Sequence, residues 1–303
     1  MKELPFDMLP LAAEREMDRD WKLICDKYWH FKENAVALCL NAKEFPTSRQ
    51  MKFISPRTGL EWHLIAIYPE RYRFSAFYNF YTPYTNPKGK KGCYTIDENN
   101  CEKLTPHFLS RVCTRYLHPH GIFPKTLDEV MEAYCRHMLS GNEFLFFLKK
   151  AQKAYMVLKH GIAIAEVAGN GLVTYITFVT FDMLLDYQTP YQKVVERMFQ
   201  LYREHGNHWH MEKFQKIISD EKLLPDGEDL QEVETKPHRK FTPAPKITGR
   251  LQNANKRDYD RAMQEIGSNS AKLWTPTMQR PGSMQWIDPA EMQKRVEELK
   301  KRR

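Results

Sequence analysis

The segment Thr105-Pro106-His107-Phe108-Leu109-Ser110-Arg111-Val112-Cys113-Thr114-Arg115-Tyr116 stands between two groups of predicted strands and has the pattern of a helix. Thr105 can cap this helix with its side-chain oxygen. Pro106 suits the first helical turn because the N–H that proline lacks would have no partner there. Helices placed between groups of strands with hairpin-length connections predict an α+β protein. We therefore expect helices packed on a twisted antiparallel sheet.

The predicted strands are recognised by their β-branched and aromatic side chains. Two of them, at 61–68 and 72–81, precede the helix, and the basic turn Lys88-Gly89-Lys90-Lys91-Gly92 leads into a third at 93–96. A second helix is predicted at 126–139. Three more strands follow, with the hairpin turn Gly169-Asn170-Gly171 between the last two: they are 155–159, 162–167 and 172–181.

Helices are also predicted towards both ends of the folded part. Apolar residues spaced three and four positions apart indicate an amphipathic helix at 11–29, and two further helices are expected at 190–204 and 208–221. From Pro225 onward prolines accumulate and apolar clusters end. We therefore predict one α+β domain at 1–224 and, at 225–303, a basic tail that is largely extended or disordered and ends in a short helix.

Positive charge is concentrated in two regions of the 303-residue chain, whose net charge is +8. Residues 51–160 carry a net charge of +7 and residues 236–303 one of +9, whereas the intervening 161–235 carry −7. This distribution indicates anionic partners at two places. The alternative is that the tail docks on the acidic region of the protein itself.

The cysteines predict a reduced, cytoplasmic protein. There are six of them, without a Cys-x-x-Cys pair, a regular disulfide framework or a signal peptide. The most apolar stretches, at 143–148 and 172–181, are too short to span a bilayer, so we expect a soluble protein with no membrane partner.

No metal or cofactor is expected. His118 and His120 follow the first helix, and three further histidines, His205, His208 and His210, lie close together in the sequence. Neither group has the ligand number and spacing of a closed zinc site. The chain also lacks a glycine-rich phosphate loop and a nucleophile elbow.

The candidate catalytic residues are His107, Arg111 and Arg115, which lie four apart and share one helix face. Arginine binds phosphate oxygens through two parallel N–H groups, and histidine exchanges a proton near neutral pH. These are the groups that cleavage of an RNA phosphodiester needs in the absence of a metal. The alternative is a solvated helix face whose cations pair with Asp97, Glu98 or Glu102.

Basic and aromatic residues near this helix are candidate RNA contacts, since cations can follow a phosphate backbone while aromatic rings stack on bases. Half of the aromatic residues at 72–81 must instead fill the sheet core. The predicted contacts from this pattern are Arg73, Lys88, Lys90, Lys91 and Tyr116.

The run Leu104-Thr105-Pro106-His107, with Arg111, Arg115, a second helix and hairpin strands after it, resembles the start of small bacterial ribonuclease toxins. These are the BrnT-like members of the RelE/barnase-like ribonuclease group, and the resemblance covers about residues 103–182. It implies metal-independent mRNA cleavage with the His/Arg helix packed on a twisted antiparallel sheet. It also implies that strand residues join the site, and the best placed are His160, Thr177 and Thr180.

Two functions are therefore predicted. The first is a metal-independent endoribonuclease or a toxin-like RNA-binding protein. The second is a non-enzymatic bacterial or phage assembly protein, whose tail binds a macromolecular partner such as a protein. The tail offers isolated apolar anchors for that purpose, and such segments often become ordered on a partner: they are Trp274, Met278, Met284 and Trp286.

Overall fold

The residues that the computed structural model describes are 2–32, 38–39, 41–69, 77–97, 101–139, 144–148, 153–168, 172–180, 183, 193–194, 196–197, 200–201, 211–224, 230–232 and 239–240. The chain divides into two compact units. The first comprises residues 1–21, 48–67 and 77–239, and the second comprises 22–47, 68–76 and 240–303.

In the described part of the chain, ten strands form one sheet, which joins two antiparallel meanders at its centre. The order is β1-β2-β3-β4-β5-β9-β8-β7-β6-β10, and the central pair β5–β9 is parallel, with Leu104 opposite Tyr175. The strands are β1 Thr47–Ile54, β2 Glu61–Tyr68, β3 Phe77–Thr85, β4 Lys91–Ile96, β5 Cys101–Leu104, β6 Phe144–Leu148, β7 Lys153–Leu158, β8 Gly161–Val167, β9 Val173–Thr180 and β10 Leu230–Glu232.

Helices pack on this sheet, which confirms the predicted α+β class. The α-helices are α1 Pro10–Asp18, α2 Trp21–Lys32, α3 Pro106–Val112, α4 Leu127–His137 and α5 Met211–Asp220. A π-helical turn, Cys113–Leu117, and a 3₁₀ turn, His118–His120, continue directly from α3. Helices α3 and α4 therefore fill the connection between the two meanders.

The main core lies between α3, α4 and one face of the sheet. Phe108 of α3 is at its centre, because its ring is 5.4 Å from Tyr175 of β9 and 5.8 Å from Tyr134 of α4. Residues from both meanders join the same core, including Tyr81 and Ala163. This packing fixes α3 against the middle of the sheet.

A buried carboxylate interrupts the N-terminal helix that the sequence predicts at 11–29. The structure has α1 and α2 instead, separated by Arg19 and Asp20. Asp20 is 1% exposed and accepts three hydrogen bonds, from Ser55 Oγ at 2.6 Å, from Trp62 Nε1 at 2.8 Å and from Thr58 Oγ1. The helix thus breaks at Asp20, whose carboxylate binds side chains of the loop after β1 and of β2.

A row of polar contacts joins β1 to α4, and we call it the polar row. Two residues of a strand cover about 6.6 Å along its axis, and four residues of an α-helix cover about 6.0 Å. Every second residue of β1 can therefore contact every fourth residue of α4. The contacts are Lys52 with Asp128, Gln50 and Ser48 with Glu132, and Ser48 with Arg136.

Folded structure extends beyond residue 224, where the sequence analysis ends the domain. Strand β10 pairs antiparallel with β6. Arg239 is 4% exposed and donates to Asp18 Oδ1 at 2.5 Å, to Glu14 Oε1 at 2.8 Å and to the carbonyl of Asp97 at 3.2 Å. These contacts give the buried guanidinium the partners that a buried charge needs. Arg239 therefore belongs to the first unit.

In the second unit, the described part of α2 buries Ile24, Cys25, Tyr28 and Phe31, which have the three- and four-residue spacing of a helix face. Among the described residues, none of the helices is long and apolar enough to cross a membrane.

Candidate functional site

Helix α3 begins as the sequence predicts and is anchored to β9 by its capping residue. The Thr105 side chain accepts a hydrogen bond from the Phe108 N–H at 3.1 Å and donates to the Tyr175 carbonyl at 2.8 Å. One hydroxyl therefore both caps the helix and fixes its first turn on the central strand.

Arg115 is held by the backbone of β9. Strand β5 ends at Leu104, so its pairing with β9 stops at Tyr175 and the chain leaves the sheet to form α3. Further along β9, Arg115 Nη1 donates to the Phe178 carbonyl at 2.5 Å. Arg115 thus donates a hydrogen bond to β9 beyond the end of the parallel pairing. Its Nη1 is therefore occupied by the protein backbone.

His107 and Arg111 are in direct contact on the outer face of α3. Arg111 Nε donates to His107 Nε2 at 3.3 Å, which requires a lone pair on that nitrogen and so a neutral imidazole. Partial burial lowers the pKa of His107 below 6.5, and the charges of Arg111, Arg115 and Lys90 lower it further. The neutral form therefore predominates at neutral pH.

The basic turn between β3 and β4 brings more positive charge to this helix, since the Lys90 charge reaches His107. Asn86 shapes the turn by accepting hydrogen bonds from the N–H groups of Lys88 and Lys90, at 3.0 and 2.9 Å. We use the name basic face for Lys90, His107 and Arg111, together with Lys88 and Lys91, which flank Lys90 in the turn.

Among the residues that the structure describes, no carboxylate forms a salt bridge with the basic face. Glu102, a predicted partner in the alternative interpretation, accepts instead from Tyr175 OH at 2.8 Å and from Thr95 Oγ1 at 3.2 Å. Asp97 contacts Arg239 through its backbone carbonyl, and within the described chain its carboxylate forms no salt bridge with the basic face. Glu98 lies outside the described residues. The described surroundings therefore leave this charge available to an anionic ligand.

Tyr116 and His160 come together, but not as the sequence analysis predicts. The Tyr116 ring is 9% exposed and lies in a stack between His120, at 4.2 Å, and His160, at 4.5 Å. Both faces of the ring are covered. The prediction that Tyr116 contacts RNA therefore does not fit this position, because a base would need one of those faces.

Neither predicted threonine is placed to join His107. Phe178 packs in the core with α3, and successive strand residues face opposite ways, so Thr177 lies on the other side of the sheet. Thr180 shares the Phe178 side but is 5% exposed, and its hydroxyl has no partner within the described chain. Arg73 lies outside the described residues.

The structure also assembles a polar cluster that the sequence analysis does not identify. His63 Nδ1 is 2.7 Å from Asp128 Oδ1, and His63 Nε2 is 3.2 Å from Glu61 Oε1, although neither contact is aligned as a hydrogen bond. Tyr81 OH donates to Asp128 at 2.7 Å, and Lys52 pairs with the same carboxylate. Burial lowers the pKa of His63, despite the opposing effect of Asp128.

No sequence signal could have revealed this cluster, because its members come from β1, β2, β3 and α4 and share no motif. His63 is 6% exposed, so the cluster lies within the core and not on an accessible surface. We interpret it as part of the packing between α4 and the sheet.

Among the described residues, no group of three His, Cys, Asp or Glu side chains is arranged so that it could hold a metal ion. His118 stacks on Phe123, and His120 stacks on Tyr116. His205, His208 and His210 fall outside the described chain, and the expectation of no metal stays a prediction.

Acidification is expected to destabilise the protein through His137 and His160. Burial lowers the pKa of both side chains below 6.5, and nearby cations, including Lys159 and His120, add to the effect. As the pH falls below about 6.5, the unfolded chain binds protons before the folded one, so the free energy of unfolding decreases. Urea unfolding at several pH values would show this decrease, and His160→Gln should reduce it. An unchanged pH profile in that variant would contradict the role of His160.

The chain matches no protein-family model, no curated protein and no solved structure. The basic face is therefore the feature from which function is argued.

Proposed function

We propose that the protein binds RNA through the basic face and cleaves it without a metal, with His107 as the general base. One observation carries this proposal. A neutral imidazole touches a guanidinium in a positively charged surface that no described carboxylate neutralises. Such a surface attracts phosphates, and a neutral histidine can accept a proton.

The contact between Arg111 and His107 supports a division of roles. Arg111 uses Nε for His107, while its two terminal nitrogens have no hydrogen-bond partner among the described residues. In the proposed reaction, those nitrogens bind non-bridging phosphate oxygens. Arg111 Nε leaves His107 as the phosphate binds, which frees the lone pair of His107 Nε2. His107 Nε2 then takes the proton of the ribose 2′-OH, the 2′ oxygen attacks phosphorus, and the 5′ oxygen leaves with a proton from solvent.

Arg115 contributes mainly to position in this proposal. Its bond to the Phe178 carbonyl fixes the helical segment against β9, and its charge helps to keep His107 neutral. Lys88, Lys90 and Lys91 add attraction for the RNA backbone, which depends little on sequence.

Removing charge from the basic face is expected to weaken RNA binding. Each of Lys90→Ala and Arg111→Ala should lower the affinity by roughly fivefold at moderate salt and reduce the slope of log affinity against log salt by about 1. Fluorescence anisotropy with a labelled RNA at several salt concentrations would measure both quantities.

Lys153→Ala is the matched control, since it removes the same charge from a lysine that already pairs with Glu166 at 2.5 Å. It should bind RNA nearly as the native protein does. Equal affinity of the native, Lys90→Ala and Arg111→Ala proteins would contradict RNA binding at the basic face.

The assembly function predicted from the tail rests on Trp274, Met278, Met284 and Trp286. All four lie outside the described residues, so this second function stays a prediction from sequence.

A further inference from the structure

An exposed aromatic ring follows the helical segment that carries the basic face. Phe123 is 65% exposed, and one side of its ring stacks on His118, with 5.2 Å between the ring centroids and 26° between the planes. Few large apolar side chains in the described chain are as exposed as Phe123, and no other described phenylalanine is more than 60% exposed. It therefore presents a flat surface to solvent.

The backbone holds this ring in place. Gly121 has φ of 77°, and hydrogen bonds run from Gly121 N to the His118 carbonyl at 3.0 Å and from Ile122 N to the Leu117 carbonyl at 2.9 Å. This pair of bonds is the Schellman motif that ends many helices. Ile122 packs against the main core, and this contact holds the backbone of the next residue, Phe123, in place. A ligand that stacks on it would find the ring already ordered.

The exposed ring and the basic face belong to one continuous segment. Arg111, Arg115 and His118 follow one another at spacings of four and three residues, through α3, the π-helical turn and the 3₁₀ turn. Neighbours at such spacings lie on adjacent parts of a helical surface. A bound strand that leaves the basic face along this segment would pass His118 and the Phe123 ring that stacks on it.

The chemistry of an exposed ring beside phosphate-binding cations favours an unpaired base. Bases within a duplex are stacked on their neighbours, whereas those of a single strand have free faces that stack on aromatic side chains. His118 already covers one side of Phe123, so the opposite side is available.

We propose that the ligand of the basic face is single-stranded RNA, with one unpaired base stacked on the side of Phe123 that faces away from His118. This inference rests on the proposed RNA binding and adds the class of RNA and the residue that selects it.

The test compares Phe123→Ala with the native protein on two probes of equal length, a labelled single-stranded oligouridylate and an RNA duplex. The variant should lose about tenfold in affinity for the single strand and keep its affinity for the duplex, since one stacking contact is removed. Phe123→Trp should restore the binding, because stacking needs only an aromatic face.

Ile54→Ala is the control, since Ile54 is also a highly exposed apolar residue, at 59%, but lies in β1. It should leave both affinities unchanged. Thermal unfolding would verify that every variant is folded.

Two outcomes would overturn the stacking site: native single-strand affinity in Phe123→Ala, or equal losses on both probes. If Lys90→Ala and Arg111→Ala still weaken binding in the same assay, RNA binding at the basic face stands and only the stacking site fails. If those two variants also bind normally, the proposed function itself fails.

Discussion

The His107→Ala variant is expected to cleave RNA about 10²- to 10⁴-fold more slowly than the native protein, in buffer that contains a chelator. The proposed reaction begins when His107 removes the 2′-OH proton, and no other neutral imidazole contacts Arg111 in the described structure. Gel analysis of a labelled RNA over time would give the rates. RNA affinity should fall little, because the cations remain.

The pH dependence provides a second measurement of the same role. Partial burial and the surrounding cations lower the pKa of His107 below 6.5, so the native rate should rise with pH in that range and level off at neutral pH. The residual rate of His107→Ala should lack this rise. Native cleavage by the variant would exclude His107 as the base, and intact RNA with the native protein would leave only the binding part of the proposal.

Asp20→Ala is expected to lower the free energy of unfolding by about 3–5 kcal/mol, the largest effect on stability that we predict. Asp20 is buried and accepts from Ser55, Thr58 and Trp62, so its removal leaves three buried donors without their acceptor. Asp20→Asn should cost less, because the amide keeps one acceptor oxygen. Urea unfolding followed by circular dichroism would measure both changes.

Glu166→Ala serves as the comparison, because it removes a carboxylate whose partner, Lys153, is at the surface. Its cost should stay below about 1 kcal/mol. If Asp20→Ala proved as mild as Glu166→Ala, the three hydrogen bonds would contribute little to the stability of the fold.

Local signals in the sequence predict much of the first meander and the start of α3. Thr105 and Pro106 place the helix correctly, and the predicted strand at 61–68 coincides with β2, which is apolar along most of its length. The predicted strand at 72–81 overlaps β3, whose described part runs from Phe77 to Thr85. No local pattern indicates β1, because its polar residues are stabilised by contacts with α4 that are distant in sequence.

Long-range pairing explains what else could not be predicted. The β5–β9 seam joins Leu104 to Tyr175, and no local pattern indicates which strand a four-residue segment such as β5 will join. The same holds for the site. The spacing of His107 and Arg111 indicates that they are neighbours, whereas the covering of Tyr116 by His120 and His160 depends on the hairpin between β7 and β8. The charge on Lys90 reaches His107 only after the sheet has formed.

The polar row between β1 and α4 also bears on self-association. Among the described strands, β1 lies at one end of the sheet, the position at which a strand from another molecule can pair with a sheet. The row holds Ser48, Gln50 and Lys52 to one helix, so β1 cannot slide to a new register without breaking all of these contacts at once. Helix α4 therefore fixes the register of the end strand, so an exchange of β1 between molecules would have to break all of these contacts.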